Sequence, residues 1–170
     1  YSENKLFPLS LKYLRKAKSI LSQCSAPYNP FKKLYVAYGV VYSEMGDIAQ
    51  SEKYYLEVIK KAKLKDDWMT LIPISINMSK MLLEKNKKIK QVEKNAKEML
   101  TISKKVDEKI YKPYIYELLG QIHLKQKNIK EAEIYFNKSL DLFNKMKTLA
   151  MIPNILYSMG LLFKEKKQDL

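Results

Sequence analysis

The feature that most constrains this chain is a spacing. Prolines stand at positions 73, 113 and 153, forty residues apart. Small or apolar residues at 48, 51, 55 and 59 recur at 89, 92, 96 and 100, and again at 129, 132, 136 and 140. Steps of three and four residues put each set on one face of a helix. The pairs Pro113/Gly120 and Pro153/Gly160 have the same internal spacing. A fixed period of this size is expected of stacked helix pairs, because one pair cannot cover both of its apolar faces alone.

The pattern predicts an all-α chain of about eight helices. The first runs from Pro8 to Ser22, with Leu11, Leu14, Ala17 and Leu21 as its apolar stripe. Gln23 to Pro30, containing Pro27, reads as a loop. Helices follow from Phe31 to Met45 and from Ile48 to Leu64. Between them Gly46 supplies a left-handed stop and Asp47 a cap. Lys65 to Ile72 reads as a connection. Pro73 then opens a helix, where a missing N–H costs nothing, or lies inside one that begins near Asp67 and kinks it. That helix reaches Lys85, and Asn86 to Lys88 is the next turn. Ile89 to Lys104, Pro113 to Gln126, Ile129 to Lys145 and Pro153 to Lys166 complete the series. The expected organisation is one domain: a half repeat at 1–30, repeats at 31–72, 73–112 and 113–152, and a terminal helix at 153–170. The chain does not begin with Met and is expected to be a piece of a larger protein.

Composition narrows the function classes. Cys24 is the single cysteine, which excludes an internal disulfide and a thiolate cluster and fits a reducing, cytoplasmic setting. No apolar run approaches the roughly 20 residues of a membrane span, and the first residues do not read as a signal peptide. The net charge of +14 admits acidic partners. The lysines are spread along the chain, however, as on solvated helix faces, and Arg15 is the single arginine. Sequence-specific reading of DNA leans on bidentate arginine, so that class is disfavoured. Lys85 to Lys112 holds ten lysines against four acidic residues. No aromatic residue falls between Lys85 and Ile110, so bases would find no stacking platform there.

Along the repeat, the residues resemble the tetratricopeptide repeat. Tyr116, Leu119, Gly120 and His123 fit its first-helix slots, and Ala132, Phe136 and Ser139 its second. Tyr35, Tyr38, Gly39 and Tyr42, then Ser51, Tyr55 and Val58, fit likewise. Leu156, Met159, Gly160 and Phe163 repeat the first helix alone, and Ser10, Leu14 and Ala17 resemble a second helix alone. The middle copy departs, with Lys80 in the glycine slot and Ala96 in the aromatic one. The period exceeds the family's usual length and resembles long-helix members found in bacterial regulators and eukaryotic adaptors. The resemblance implies a right-handed superhelical α-solenoid of antiparallel helix pairs.

Catalytic chemistry finds little support in the residues. His123, the only histidine, sits in an aromatic packing slot with no nucleophile or paired acid in sequence. Asp66–Asp67 and Asp107–Glu108 are explained by helix capping. No glycine-rich phosphate loop is present. The expectation is therefore a non-enzymatic module with no cofactor and no metal.

What the family resemblance implies instead is a groove for an extended or helical peptide, inside a larger signalling or regulatory protein. Its groove-facing slots carry over to Lys33, Val36, Val40, Asn77, Met81, Tyr114, Glu117, Gln121, Asn154, Tyr157 and Leu161. Val36 and Val40 stand where carboxylate-clamping members place polar residues, so capture of a C-terminal carboxylate is not expected. The alternative is a structural module that self-associates through the terminal helix, which has no second-helix partner, so that its face of Ile155, Leu156, Met159 and Phe163 is expected to be partly open. Nucleic-acid binding, suggested by charge alone, ranks below both.

Overall fold

A computed structural model describes residues 3–23, 28–107 and 109–168, so Cys24, Pro27 and Glu108 lie outside the described residues. Eight helices account for nearly all of it. They are α1 (Glu3–Gln23), α2 (Tyr28–Glu44), α3 (Ile48–Leu64), α4 (Trp68–Glu84), α5 (Ile89–Lys105), α6 (Lys112–Lys125), α7 (Ile129–Lys145) and α8 (Ile152–Gln168). A single 3₁₀ turn, Leu149–Met151, precedes α8. No strand occurs among the described residues.

The helices end by a common device. A residue with positive φ stands at positions 46, 66, 86, 107, 127 and 147, every 20 or 21 residues. Only the first is a glycine; the others are Asp66, Asn86, Asp107, Lys127 and Lys147. Around Lys127, its own N–H reaches the Leu124 carbonyl at 3.0 Å, and the Asn128 N–H reaches the His123 carbonyl at 2.9 Å. This pair of bonds satisfies two orphan carbonyls of α6 and reverses the chain. The same pair recurs at Gly46, Asp66, Asn86 and Lys147.

Two helices begin earlier than their prolines suggest. α1 starts at Glu3, with Pro8 inside it. α4 starts at Trp68, with Pro73 inside it. The cause at α4 is a cap: Asp67 Oδ1 accepts from the Thr70 N–H at 3.1 Å. Pro113, by contrast, occupies the first turn of α6, and Pro153 follows the first residue of α8. The forty-residue proline spacing thus marks register, and not a common helix start.

The chain forms two compact units, residues 1–81 and 82–170. In the first, Leu11, Leu34 and Tyr38 are buried, with Leu14, Ala17, Leu21, Tyr35, Val41, Tyr42 and Tyr54 packed around them. Tyr54 stacks on Tyr38 at 4.5 Å and on Tyr42 at 5.7 Å. Burial pushes the Tyr38 and Tyr54 hydroxyls above their ordinary pKa, with neighbouring tyrosines adding to it. α2 and α3 meet where Tyr55 crosses Gly39: a Cβ on Gly39 would lie 2.7 Å from the ring. Beside it Ser51 Oγ donates to the Gly39 carbonyl at 2.7 Å.

The second unit repeats this contact. A Cβ on Gly120 would lie 2.6 Å from the Phe136 ring. Ala132, Phe136, Phe143, Ile155 and Leu162 form the buried cluster that joins α7 to α8. On the terminal helix Ile155 is fully buried, while Leu156 and Phe163 are open. Residues 91–100 and 131–140 show the same burial class position by position, so α5 and α7 keep one register. A polar link recurs with it. Gln126 Nε2 donates to Glu93 Oε2 at 2.9 Å, and forty residues on Lys166 Nζ donates to Glu133 Oε2 at 2.6 Å.

Two stability outcomes follow from these contacts. Gly120→Ala drives a methyl into the face of Phe136 and is expected to cost about 1–3 kcal/mol in urea denaturation. Lys147→Gly relieves a left-handed backbone at φ 56 and is expected to raise stability by about 0.5–1 kcal/mol, net of the entropy that glycine adds to the unfolded chain.

Candidate interaction grooves

In the first unit the exposed side of α2 faces the start of α4 across a recess of about 340 Å³. Lys32, Lys33, Val36, Ala37, Thr70 and Ile74 line it. Helical spacing explains the arrangement: Lys33, Val36 and Ala37 lie on one stripe of α2, and Thr70 and Ile74 on one stripe of α4. The floor is aliphatic and the rim cationic. Lys32 is held in place, with Nζ 2.7 Å from Thr70 Oγ1 and 3.5 Å from Asp67 Oδ2. Lys33 is exposed beside it.

Asp67 is tied to this rim. Burial pushes its carboxyl pKa up, but hydrogen bonds from Thr70 and the charge of Lys32 outweigh that and hold it below the ordinary carboxylate value. One residue thus caps α4 and orients a rim lysine.

Of the residues the sequence nominated in this unit, Lys33 and Val36 line the recess. Val40 continues the α2 stripe and is partly open, at 38% exposure. Asn77 is exposed one turn beyond Ile74 on α4, and Met81 is buried. Lys32, Ala37, Thr70 and Ile74 were missed by sequence reasoning. Thr70 fell in an expected connection, and the capping aspartate at position 67 was the signal that could have moved it onto a helix.

In the second unit Tyr114, Glu117 and Gln121 share a stripe of α6, and Asn154, Tyr157 and Leu161 share one of α8. Gln121 Nε2 donates to Glu117 Oε1 at 3.2 Å, and Glu117 is buried. Tyr114 meets the Phe143 ring edge-on at 4.9 Å, so much of its area belongs to the core. Asn154, Tyr157 and Leu161 are exposed, Tyr157 at 70%.

The remaining singled-out groups have structural surroundings. His123 stacks on Tyr135 at 5.3 Å, and its buried Nδ1 has no hydrogen-bond partner. Lys138 Nζ sits over the rings of Tyr135 and Tyr116 at 5.4 and 5.9 Å. Glu93 accepts from Lys97 and Gln126, and these bonds hold its pKa below the ordinary value. Among the described residues no cluster of histidine, cysteine or acidic side chains could hold a metal ion. No described helix is long and apolar enough to cross a membrane.

The sequence profile of the tetratricopeptide repeat matches residues 32–60 and 113–145. These are α2 with most of α3, and α6 with α7: the two helix pairs in which an aromatic ring crosses a glycine. Both segments are similar to tetratricopeptide repeats. The chain is similar in structure to the apo form of RapI, with a TM-score of 0.83 and 16% identity over 97% of this chain and 60% of that one. It is also similar to BtubC (BKLC) from P. vanneervenii, with a TM-score of 0.76 and 15% identity over 98% of this chain and 67% of that one. At these identities the likeness shows the fold, an all-helical repeat of the solenoid type. The chain spans 60% of the length of RapI. No curated protein sequence matches it.

The rim generates a pH-dependent outcome. Asp67 ionises more readily folded than unfolded, so its stabilisation is complete above the ordinary carboxylate value and is lost as pH falls through its lower folded value. Asp67→Asn keeps a capping oxygen and removes the charge. The stability advantage of the wild type over this variant should be present at about pH 7 and shrink as pH falls below about 4. Urea titrations at several pH values measure it, and a gap that widens in acid would contradict the assignment.

Proposed function

We propose that this chain is a non-enzymatic protein-interaction module, a part of a larger signalling or regulatory protein. It takes an extended or helical segment of a partner along its first-helix surfaces. Tetratricopeptide repeats support a protein-interaction role in general. The observation that carries the finer reading is the recess between α2 and α4, with an aliphatic floor of Val36, Ala37 and Ile74 beneath Lys32 and Lys33. Such a recess fits an aliphatic anchor residue flanked by carboxylates. An apolar side chain supplies the buried area, and the lysines select the sign of its neighbours. The net charge of +14 favours the same acidic class of partner by drawing it in over longer range.

In this reading Lys33, Val36, Val40 and Asn77 are the contact positions in the first unit. Tyr114, Gln121, Asn154, Tyr157 and Leu161 are those of the second. Met81 and Glu117, both buried, support the surface from beneath.

The test is a titration of acidic ten-residue peptides carrying one central leucine or isoleucine, followed by the fluorescence of Trp68. Trp68 opens α4 one residue after the rim aspartate. Val36→Glu places a carboxylate on the floor and is expected to weaken the best peptide by about tenfold or more. Lys33→Glu should weaken it less and flatten its salt dependence. Unchanged affinity in Val36→Glu would exclude the recess.

A further inference from the structure

The turns of the second unit differ between its two ends. Lys125 Nζ donates to Asn86 Oδ1 at 2.7 Å, which puts the end of α6 beside the turn that opens α5. α7 begins directly after α6, so the turns Asn86–Lys88 and Gln126–Asn128 share this end, and they carry no apolar residue. The C-termini of α5 and α7 therefore lie together at the other end. There Ser139 Oγ of α7 donates to the Pro113 carbonyl at the start of α6 at 2.7 Å. Both turns at this end expose apolar side chains: Val106 and Ile110 after α5, Ile110 at 53%, and Met146 after α7. Lysines surround them. Lys104 to Lys112 holds four lysines against two acidic residues, and Met146 stands between Lys145 and Lys147. The α3–α4 turn of the first unit, taken by itself, has the same make-up, with Leu64 between Lys63 and Lys65 and 78% exposed.

We infer that this edge of the second unit docks on the surface of an anionic lipid bilayer. Headgroup phosphates meet the lysines, and Val106, Ile110 and Met146 enter the interfacial layer. The contact is peripheral, in keeping with helices too short and polar to span. Apolar area and positive charge act together here, because either alone holds a protein on a membrane only weakly. Two of the lysines have acidic neighbours, Lys109 with Asp107 at 3.3 Å and Lys145 with Asp141 at 2.7 Å. Both pairs are exposed, and exposed pairs are weak enough to exchange for a phosphate.

Position and shape select this occupant. A helical repeat grows by adding pairs before its first helix or after its last. Further repeats of a longer protein would stack on α1 or α8 and leave these turns at the surface. An apolar side chain at the tip of a turn stands out from the surface, whereas the recess of the first unit takes a side chain in. A folded partner would have to offer a matching cavity for each tip. The interfacial layer of a bilayer is deformable and accepts separate tips without such a match. Nucleic acid fits less well, since phosphates make no use of aliphatic groups and bases need an aromatic platform. Tyr111, the aromatic residue of these turns, is half-buried with its ring 6.5 Å from that of Tyr114.

The experiment is co-sedimentation of the intact chain with vesicles of phosphatidylcholine and phosphatidylglycerol in equal parts, and with vesicles of phosphatidylcholine alone. Binding to the anionic vesicles is expected to fall as salt rises and to exceed binding to the neutral ones by about tenfold or more. Ile110→Asp withdraws an inserting side chain and should weaken it by about tenfold. Lys105→Gln combined with Lys147→Gln removes two charges and should weaken it by about tenfold or more. These changes fall on exposed residues, so the unfolding midpoint should hold. Equal binding of the wild type and Ile110→Asp would overturn the proposal, because the lysines alone would then account for the attraction. So would absence of binding to anionic vesicles at low salt, or retention of poly(U) RNA by a chain that ignores vesicles. Val36→Glu should bind vesicles as the wild type does, so this edge and the recess can fail separately. A loss of vesicle binding in that variant would place the contact at the recess and overturn the assignment.

Discussion

The structure depends on the contact of an aromatic ring with a bare backbone. Tyr55 over Gly39 and Phe136 over Gly120 let the helices of a pair approach more closely than any side chain at the glycine would allow. In the second unit that approach carries much else with it. Phe136 is fully buried and shares a cluster with Ile155 and Leu162, so one ring joins its own pair to the next helix. Removing a buried phenylalanine costs about 3–5 kcal/mol in typical cores, a large share of a small unit's stability. The hydroxyl bonds beside these rings, Ser51 to Gly39 and Ser139 to Pro113, satisfy polar groups that the tight packing removes from water.

The middle repeat shows what the contact does not control. α5 has Ala96 where α7 has Phe136, yet the burial of the two helices runs in step. The buried sets are Val92, Ala96, Met99 and Ser103 in one, and Ala132, Phe136, Ser139 and Phe143 in the other. Side-chain volume is distributed differently along the same stripe. Register follows from the alternation of apolar and polar positions, and the aromatic–glycine pair sets closeness of approach.

This division explains what could be read from sequence. The bounds of α3 and α7 were legible because both begin directly after a polar turn and carry uninterrupted stripes. The left-handed turn residues were not, apart from Gly46. Asp66, Asn86, Lys127 and Lys147 adopt the same conformation because the flanking helices pack and close it, and no local preference of lysine announces that. The start of α4 was ambiguous because Pro73 argues for a late start and Asp67 for an early one. A cap that satisfies orphan N–H groups, and pairs with Lys32 besides, outweighed one missing donor. The recess followed from that choice. With Thr70 in an expected connection, part of its wall had no place in the reading, whereas Lys33 and Val36 were accessible to periodicity alone.

Charge and apolar surface divide the work of recognition on such a chain. Several lysines are already paired within the fold: Lys32 with Asp67, Lys97 with Glu93, Lys145 with Asp141 and Lys166 with Glu133. The surplus of positive charge is spread along the helices, and at physiological salt its field is screened within about 8 Å. Spread charge of this kind accelerates the approach of acidic segments but discriminates poorly among them. Discrimination then falls to the few places where an apolar group can be buried next to a fixed cation. One such place has defined geometry: the recess of the first unit, where Val36, Ala37 and Ile74 lie beside Lys32 and Lys33.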